Sequence, residues 1–288
     1  MTTKQRTLYL LPAICMTVIF FIVPFVYLLY VGFFQWDGLT PMKFVGIGNY
    51  RKVLADPVFR ISVRNTIIWM LTATFIHVPL GLLLAFLLDR RPRGWKVYRF
   101  AFFIPNIIST TAIAFLWYFL YHVDLGLING ILELIGLGTY RHGWLNEPAT
   151  ALFCNQVPFA LYVGLTMVIF MTQLSTISPD IFEAARIDGA VGWRKDWYIS
   201  LPLVRPAIIT NLMLNLAFCL KTFEYPFLMT GGGPANSTMN LSLYIYREMM
   251  QSNRYGYSMV GGLATIILGC IVMGIILWVQ KRMKEEEL

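Results

Sequence analysis

Polar side chains recur at helical spacing within two otherwise apolar stretches of this 288-residue chain. In one stretch, Asn211, Asn215 and Thr222 are spaced so that they lie near one face of a helix. In another, Asn155 and Tyr162 are also spaced to share a face. Amides and hydroxyls form hydrogen bonds and aromatic rings offer flat surfaces, a combination that suits a carbohydrate. We therefore expect these residues to line a substrate pathway.

The same residues have an alternative role. Amide and hydroxyl side chains inside a bilayer also form hydrogen bonds between neighbouring helices and set their packing. The sequence leaves both roles open. Lys221 and Glu224 are three residues apart and are spaced to pair on one helical face. For that pair we favour a structural role over substrate contact.

The apolar stretches contain no arrangement typical of an enzyme or a metal site. They hold no paired carboxylates and no nucleophile beside a base, and the cysteines lie far apart with no Cys-x-x-Cys spacing. Glu224 is the single acidic residue within these stretches. A secondary transporter or channel working alone needs an ion-coupling carboxylate or a charged pathway. That class, for a small polar solute, therefore remains only the alternative to the function inferred below.

The composition is that of an integral membrane protein. The chain is 57% hydrophobic and 13% charged, whereas soluble proteins are about 25% charged. A membrane-spanning helix needs about 20 mostly apolar residues. The predicted fold class is all-α, a single polytopic membrane domain over residues 1–288. Six stretches qualify as spans: residues 8–34, 67–88, 100–121, 151–174, 206–228 and 258–280.

Basic residues indicate which loops are cytoplasmic. An even number of spans puts both termini on one side. Lys and Arg are more frequent in the loops on the side of the termini, and Arg90, Arg91 and Arg93 form their densest cluster. Because cytoplasmic loops carry an excess of Lys and Arg, we predict that both termini are cytoplasmic. The loop at about residues 175–205 is then cytoplasmic too.

This loop has the features of a docking element. Ser178, Pro179 and Asp180 are typical of a helix start, since they supply a cap, a preset first residue and a favourable charge. The helix is predicted to run to about Asp188, and Gly189 is suited to end it. A second short helix is predicted over residues 193–200, stopped at Pro202. A loop that merely rests on the membrane surface is the alternative.

The motifs of the chain resemble those of a known family. Glu183-Ala184-Ala185 and Gly189, followed by Leu201-Pro202, are similar to the EAA loop of the permease subunits of bacterial ABC importers. Further motifs in the family's order resemble its carbohydrate branch, of the maltose and glycerol-phosphate type. They are Phe44-Val45-Gly46, Asn49-Tyr50, Asn65-Thr66, Asp188-Gly189-Ala190, Met229 to Pro234, Thr238 and Tyr244-Ile245-Tyr246.

The resemblance implies how such a chain works. The loop would dock as a coupling helix on a separate ATPase subunit, with Glu183, Ala184, Ala185, Asp188 and Gly189 at its contact. It also implies a second, different permease chain and an extracytoplasmic sugar-binding protein in a bacterial cell membrane. The chain has no phosphate-binding G-x-x-x-x-G-K-[ST] motif. We therefore expect ATP and magnesium to be bound by the partner ATPase, with no cofactor in this chain.

Overall fold

The computed structural model describes the backbone of residues 3–285 and the side chains of residues 9–282. The two termini, whose side of the membrane the sequence predicts, lie outside that range. About 76% of the chain is helical. The α-helices are Thr3–Thr17, Val23–Gly32, Gly48–Ala55, Pro57–Thr72, Val78–Asp89, Trp95–Phe103, Thr110–Leu120, Leu127–Leu134, Pro148–Leu161, Gly164–Leu174, Pro179–Ile187, Trp193–Lys195, Leu201–Leu203, Arg205–Lys221, Glu224–Thr230, Leu241–Tyr246 and Tyr255–Glu285.

Shorter segments join several of these helices. Turns of π-helix are found at Val18–Ile22, Ala73–His77, Asp196–Ser200 and Arg247–Gln251, and 3-10 turns at Ile104–Asn106 and Gly138–Tyr140. Phe34–Gln35 pairs antiparallel with Lys43–Phe44, in a register that sets Phe34 opposite Phe44.

Four helices are long and apolar enough to cross a membrane: Tyr9–Gly32, Pro57–Asp89, Pro148–Leu174 and Tyr255–Arg282. Two further pairs reach that length only when each pair is counted as one span. Trp95–Asn106 meets Thr110–Leu120 at 94°, and Trp193–Leu203 meets Arg205–Lys221 at 70°. Six spans are therefore compatible with the structure, but the third predicted span is not straight. Pro105 lies at the bend and Ser109 caps the helix after it.

The fifth predicted span also differs from the expectation. Its helix ends at Lys221, Thr222 and Phe223 are non-helical, and a new helix starts at Glu224. Because the break changes the direction of the side chains, the spacing of Lys221 and Glu224 no longer puts them on one face. Among the described residues no ion pair joins them, and the predicted pair is wrong. Lys221 is exposed and Glu224 half-buried.

The chain divides into two compact units. The first comprises the chain up to Arg60 together with Leu241–Leu268. Within it, the Asn49 amide donates hydrogen bonds to the carbonyls of Gly32 (3.0 Å) and Phe34 (2.8 Å). The Tyr244 hydroxyl donates to Asp56 Oδ2 at 3.0 Å. The helix Tyr9–Gly32 is apolar and its side chains are mostly exposed.

The second unit comprises Ile61–Asn240 and the chain from Gly269. Its core forms where Val78–Asp89 packs on Gly164–Leu174. Gly81 permits this approach, since a Cβ there would lie 2.5 Å from Thr166 Cγ2. The buried residues of this core are Val78, Ala85, Phe86, Leu88, Met167, Phe170, Leu174, Val204 and Ala207.

Candidate functional site

A cavity of about 340 Å³ lies in the second unit, at the breaks of its spanning helices. Its wall combines polar groups with aromatic rings. Two interruptions of these helices lie beside the cavity: the break at Tyr162 and Val163, and the bend before Thr110. An interrupted helix leaves side chains free to face a cavity. The polar and aromatic lining residues include His77, Asn106, Phe159, Tyr162, Thr166, Asn211, Asn215, Phe218 and Tyr225.

A chain of hydrogen bonds crosses the cavity wall. His77 Nδ1 lies 2.8 Å from the Phe159 carbonyl and Nε2 lies 3.0 Å from Thr166 Oγ1. Because a carbonyl can only accept, Nδ1 carries a proton, and Nε2 of the neutral ring accepts from the Thr166 hydroxyl. Asn215 Nδ2 then donates to Thr166 Oγ1 at 3.1 Å and to the Asn211 carbonyl at 2.9 Å. This leaves the carbonyl oxygen of the Asn215 amide available to accept.

Asn211 is the most unusual polar residue of the wall. It is fully buried, and neither the nitrogen nor the oxygen of its side-chain amide has a hydrogen-bond partner among the described residues. A buried amide without partners costs free energy, about 1–3 kcal/mol in proteins. Asn211 is therefore a buried amide beside the cavity whose hydrogen-bonding capacity is unused among the described residues.

Aromatic rings supply the flat surfaces of the cavity. The rings of His77 and Phe159 are stacked with centroids 4.5 Å apart. Phe159 is stacked in turn on Phe218 at 5.3 Å. The Tyr162 hydroxyl accepts a hydrogen bond from Trp117 Nε1 at 2.9 Å, which holds the phenol ring in place. Amide side chains and aromatic rings therefore line one cavity together.

Three of the predicted pathway residues line this cavity: Asn211, Asn215 and Tyr162. The other two do not. Asn155 is buried and its amide donates to the Ala151 carbonyl at 3.0 Å and to Thr230 Oγ1 at 3.4 Å. Thr222 is also buried, and its hydroxyl donates to the Phe218 carbonyl at 3.0 Å. Both side chains are therefore buried among protein groups, and the Asn155–Thr230 bond joins two helices, as in the alternative role that the sequence left open.

Sequence reasoning missed His77, Phe218 and Tyr225 as cavity residues. A histidine within an apolar stretch is itself a signal, because ionisable residues in membrane spans are costly. In sequence, His77 lies 82 residues from Phe159 and 89 residues from Thr166, so spacing alone gives no indication of these contacts. Phe218 and Tyr225 carry no sequence signal that separates them from the other aromatic residues.

The predicted loop helix is confirmed as Pro179–Ile187. The Ser178 hydroxyl accepts from the amide of Asp180 at 3.3 Å. At the other end, the amide of Ala190 donates to the Ala185 carbonyl at 2.8 Å, and that of Gly189 to the Arg186 carbonyl at 3.1 Å. This pair of bonds is a Schellman motif, which needs a left-handed residue at its centre. Gly189 supplies it, with φ +78°.

The loop helix presents most of its predicted contact residues outward. Glu183, Ala184, Asp188 and Gly189 are exposed, whereas Ala185 is buried within the chain. Ala185 therefore serves the inner face of the helix, and the surface open to a partner consists of the other four. A cavity of about 660 Å³, lined in part by Glu183, adjoins this helix.

A second helix, Trp193–Leu203, follows the loop helix; we call it the elbow helix. It begins where predicted but does not stop at Pro202. The π-helical turn Asp196–Ser200 comes directly before Leu201. Such a turn shifts the hydrogen-bond register and so accommodates a residue without an amide hydrogen. The change of direction comes instead at Val204, which lies between the elbow helix and Arg205–Lys221.

The glycine-rich segment borders a separate cavity of about 700 Å³. Thr230, Gly231, Gly233 and Pro234 form one side of it, and Tyr118, Tyr121 and Asn146 lie among the residues of the other sides. The Asn65 amide secures the end of this segment, donating to the carbonyls of Ser237 and Met239, both at 2.7 Å.

Comparison with known proteins identifies relatives along nearly the whole chain. Residues 77–285 match the family model described as "binding-protein-dependent transport system inner membrane component". A probable ABC transporter permease of Pyrococcus horikoshii is 30% identical, over 97% of this chain and 96% of the relative. The lactose transport permease of Rhizobium radiobacter is 31% identical (83% and 81%). The sulfoquinovosyl glycerol transport permease of Agrobacterium fabrum is 32% identical (87% and 82%).

The fold also has a solved counterpart. A chain from the crystal structure of a bacterial ABC transporter for import of the acidic polysaccharide alginate aligns with a TM-score of 0.83. The match covers 96% of each chain at 24% sequence identity. It therefore shows that the two chains share a fold.

Proposed function

This chain belongs to the binding-protein-dependent transport system inner membrane components and is a permease subunit of an ABC transporter, and from that premise we propose that it imports a carbohydrate through the cavity of the second unit. Membership in this family excludes the alternative of a self-contained secondary transporter or channel. The family is described as an inner membrane component, and this chain has several helices that are long and apolar enough to cross a membrane.

The observation that carries the carbohydrate proposal is the wall of the cavity. Asn211 and Asn215, whose amides have unused hydrogen-bonding capacity, line the same cavity as Phe159 and Phe218, whose rings stack on each other. A sugar presents hydroxyls at its edge and C–H groups on its faces. It therefore matches the amides and the rings at once. Relatives named for lactose and for sulfoquinovosyl glycerol point to the same substrate class.

The loop helix is proposed as the contact with a separate ATPase subunit. Glu183, Ala184, Asp188 and Gly189 form its exposed face, with Ala185 packing beneath them. A short capped helix is a stiff element and can carry a movement to the helices it joins. ATP and magnesium are bound by that ATPase, and its closure on ATP turns the cavity outward. This chain then binds, orients and releases sugar without any covalent step.

The remaining partners are proposed from the exposed surfaces. The apolar helix Tyr9–Gly32 has little cover within this chain, which suits contact with lipid and with a second, different permease chain. A sugar-binding protein is proposed to dock on the outer side, near the cavity bordered by Gly231 and Gly233. We propose that both termini and the loop helix lie on the cytoplasmic side of a bacterial cell membrane.

The first experiment is purification of this chain from its native membrane in mild detergent, with mass spectrometry of every retained protein. We expect an ATPase subunit and a second permease. The retained complex is then placed in liposomes with a panel of labelled sugars, and uptake is measured with ATP and with an ion gradient alone. Uptake driven by the gradient without ATP, or recovery of this chain alone, would refute the proposal.

A further inference from the structure

Four charged side chains connect the elbow helix to the end of a spanning helix. We name them the charged cluster: Asp89, Arg90, Lys195 and Asp196. Arg90 Nη2 donates to Asp196 Oδ2 at 2.5 Å. Lys195 Nζ lies 3.2 Å from Asp89 Oδ2 and 3.5 Å from Asp196 Oδ1. Asp89 is the last residue of the span Pro57–Asp89, and Arg90 follows it. The two ion pairs, Arg90–Asp196 and Lys195–Asp89, therefore join elements about a hundred residues apart in sequence, which tertiary packing brings together.

Asp196 is the buried centre of this cluster. Its side chain is 2% exposed, against 18% for Lys195, 29% for Asp89 and 34% for Arg90. A buried carboxylate is strongly unfavourable unless it is paired. Separating the elbow helix from the end of the span would therefore remove Arg90 from Asp196 and leave that carboxylate only the longer 3.5 Å contact with Lys195. The cost of this separation makes the joint stiff.

The cluster also reaches the loop helix. Lys195 Nζ lies 4.7 Å from the centre of the Phe182 ring, which belongs to the loop helix. Arg90 Cζ lies 4.5 Å from the ring of Trp193, at the start of the elbow helix. At such distances a cation is attracted to the face of an aromatic ring. A continuous set of contacts thus runs from Phe182 through Lys195 to Asp89.

We propose that the charged cluster transmits displacement of the loop helix to the span Pro57–Asp89, with Asp196 and Lys195 as positioning residues. The span carries His77, which lines the cavity. A movement at the loop helix is therefore passed to the sugar site through ion pairs rather than through the turn at Gly189–Gly192 alone. This inference rests on the proposed docking of the loop helix on an ATPase.

The test uses the complete importer in liposomes, and the measured quantity is sugar imported per ATP hydrolysed. Asp196→Asn keeps the size of the side chain but removes its charge. We expect the ratio to fall about fivefold or more, the range of ordinary coupling between sites, while the ATPase subunit stays bound. Arg90→Gln is expected to lower the ratio as well. The double variant should import as much sugar per ATP as Asp196→Asn alone, because both substitutions break the same Arg90–Asp196 pair.

Arg93→Gln is the matched control. Arg93 lies close to Arg90 in sequence, is exposed, and forms no ion pair among residues 9–282. Its ratio should equal that of the wild type. An unchanged ratio for Asp196→Asn with full retention of the ATPase would overturn the inference. Losses that simply add in the double variant would overturn it too.

Lys195→Gln keeps the test decisive if Asp196→Asn does not assemble. It leaves the Arg90–Asp196 pair in place but removes the contacts of Lys195 to Asp89, Asp196 and Phe182. A smaller fall in the ratio is expected, and a wild-type ratio would contradict transmission through the cluster. Failure of the proposed function itself is distinguishable, because the wild-type complex would then show no ATP-driven sugar uptake.

Discussion

Replacing Gly189 tests whether the shape of the loop helix cap matters for transport. Gly189 has φ +78°, and a Cβ built there would meet no atom within 4 Å. The cost of a side chain at this position therefore comes from backbone conformation alone. For an L-residue held in the left-handed region it is roughly 1–2 kcal/mol. Valine lies at the upper end, because β-branched residues are poorly accommodated there.

A cost of this size reduces the ratio of capped to frayed loop by a factor of about 5–30. The two hydrogen bonds from Gly189 and Ala190 are lost in the frayed form. We expect Gly189→Val to assemble with the ATPase but to import much less sugar per ATP hydrolysed. Gly189→Ala should be intermediate. Gly189→Asn should be close to wild type, because asparagine tolerates the left-handed conformation.

The assay is ATP-driven sugar uptake by the reconstituted complex, with ATP hydrolysis followed in the same sample. Normal uptake by Gly189→Val would refute a coupling role for the cap. If Gly189→Asn were as defective as Gly189→Val, backbone strain would be the wrong explanation. The defect would then come from a side chain obstructing the partner ATPase, since this chain leaves that space open.

Three further predictions concern the cavity of the second unit, the glycine-rich segment and the turn at Asp37. Asn215→Leu removes an amide that lines the cavity and should raise the KM for sugar uptake about fivefold, which corresponds to the loss of roughly one hydrogen bond. Gln173→Leu, which changes an amide outside the cavity, is the control and should leave the KM unchanged. Asn65→Leu leaves the carbonyls of Ser237 and Met239 without their donor and should destabilise the protein by about 2 kcal/mol. Thermal unfolding in detergent should show a lower midpoint for this variant than for Asn146→Leu, which changes an exposed residue, and equal midpoints would contradict the prediction. The pKa of Asp37 is lowered from 3.8 to about 2, because its carboxylate accepts hydrogen bonds from the Thr40 and Leu39 amides and from the Thr40 hydroxyl. Its stabilising contribution is therefore complete above pH 3.8 and is lost as the pH falls through about 2; an NMR titration that placed this pKa at 3.8 would disprove the turn.

Local signals account for the features that the sequence predicted well. The loop helix begins at Pro179 and is followed by Asp188 and Gly189, as the capping residues indicate. Caps depend on hydrogen bonds between residues that are a few positions apart, so the necessary information is contiguous. The apolar spans are readable for a similar reason, because the bilayer requires an unbroken run of apolar residues.

Helix breaks explain why only some of the predicted pathway residues line the cavity. Asn155 and Thr222 follow the spacing of a continuous helix, but interruptions at Tyr162 and at Thr222 itself change the direction of the side chains. Both residues consequently meet protein groups instead of the cavity. The predicted Lys221–Glu224 pair is wrong for the same reason.

The sequence by itself determined the membrane class, the loop helix and its caps, and the kinds of residue available for sugar recognition. Only the tertiary structure decided which of them meet. His77 lies against Thr166 and Phe159, and Asp196 against Arg90, across separations of 82 to 106 residues. Such contacts depend on how whole helices pack and bend, since each added break rotates every later side chain. Neither the composition nor the spacing of residues specifies the angle at which a helix bends or breaks.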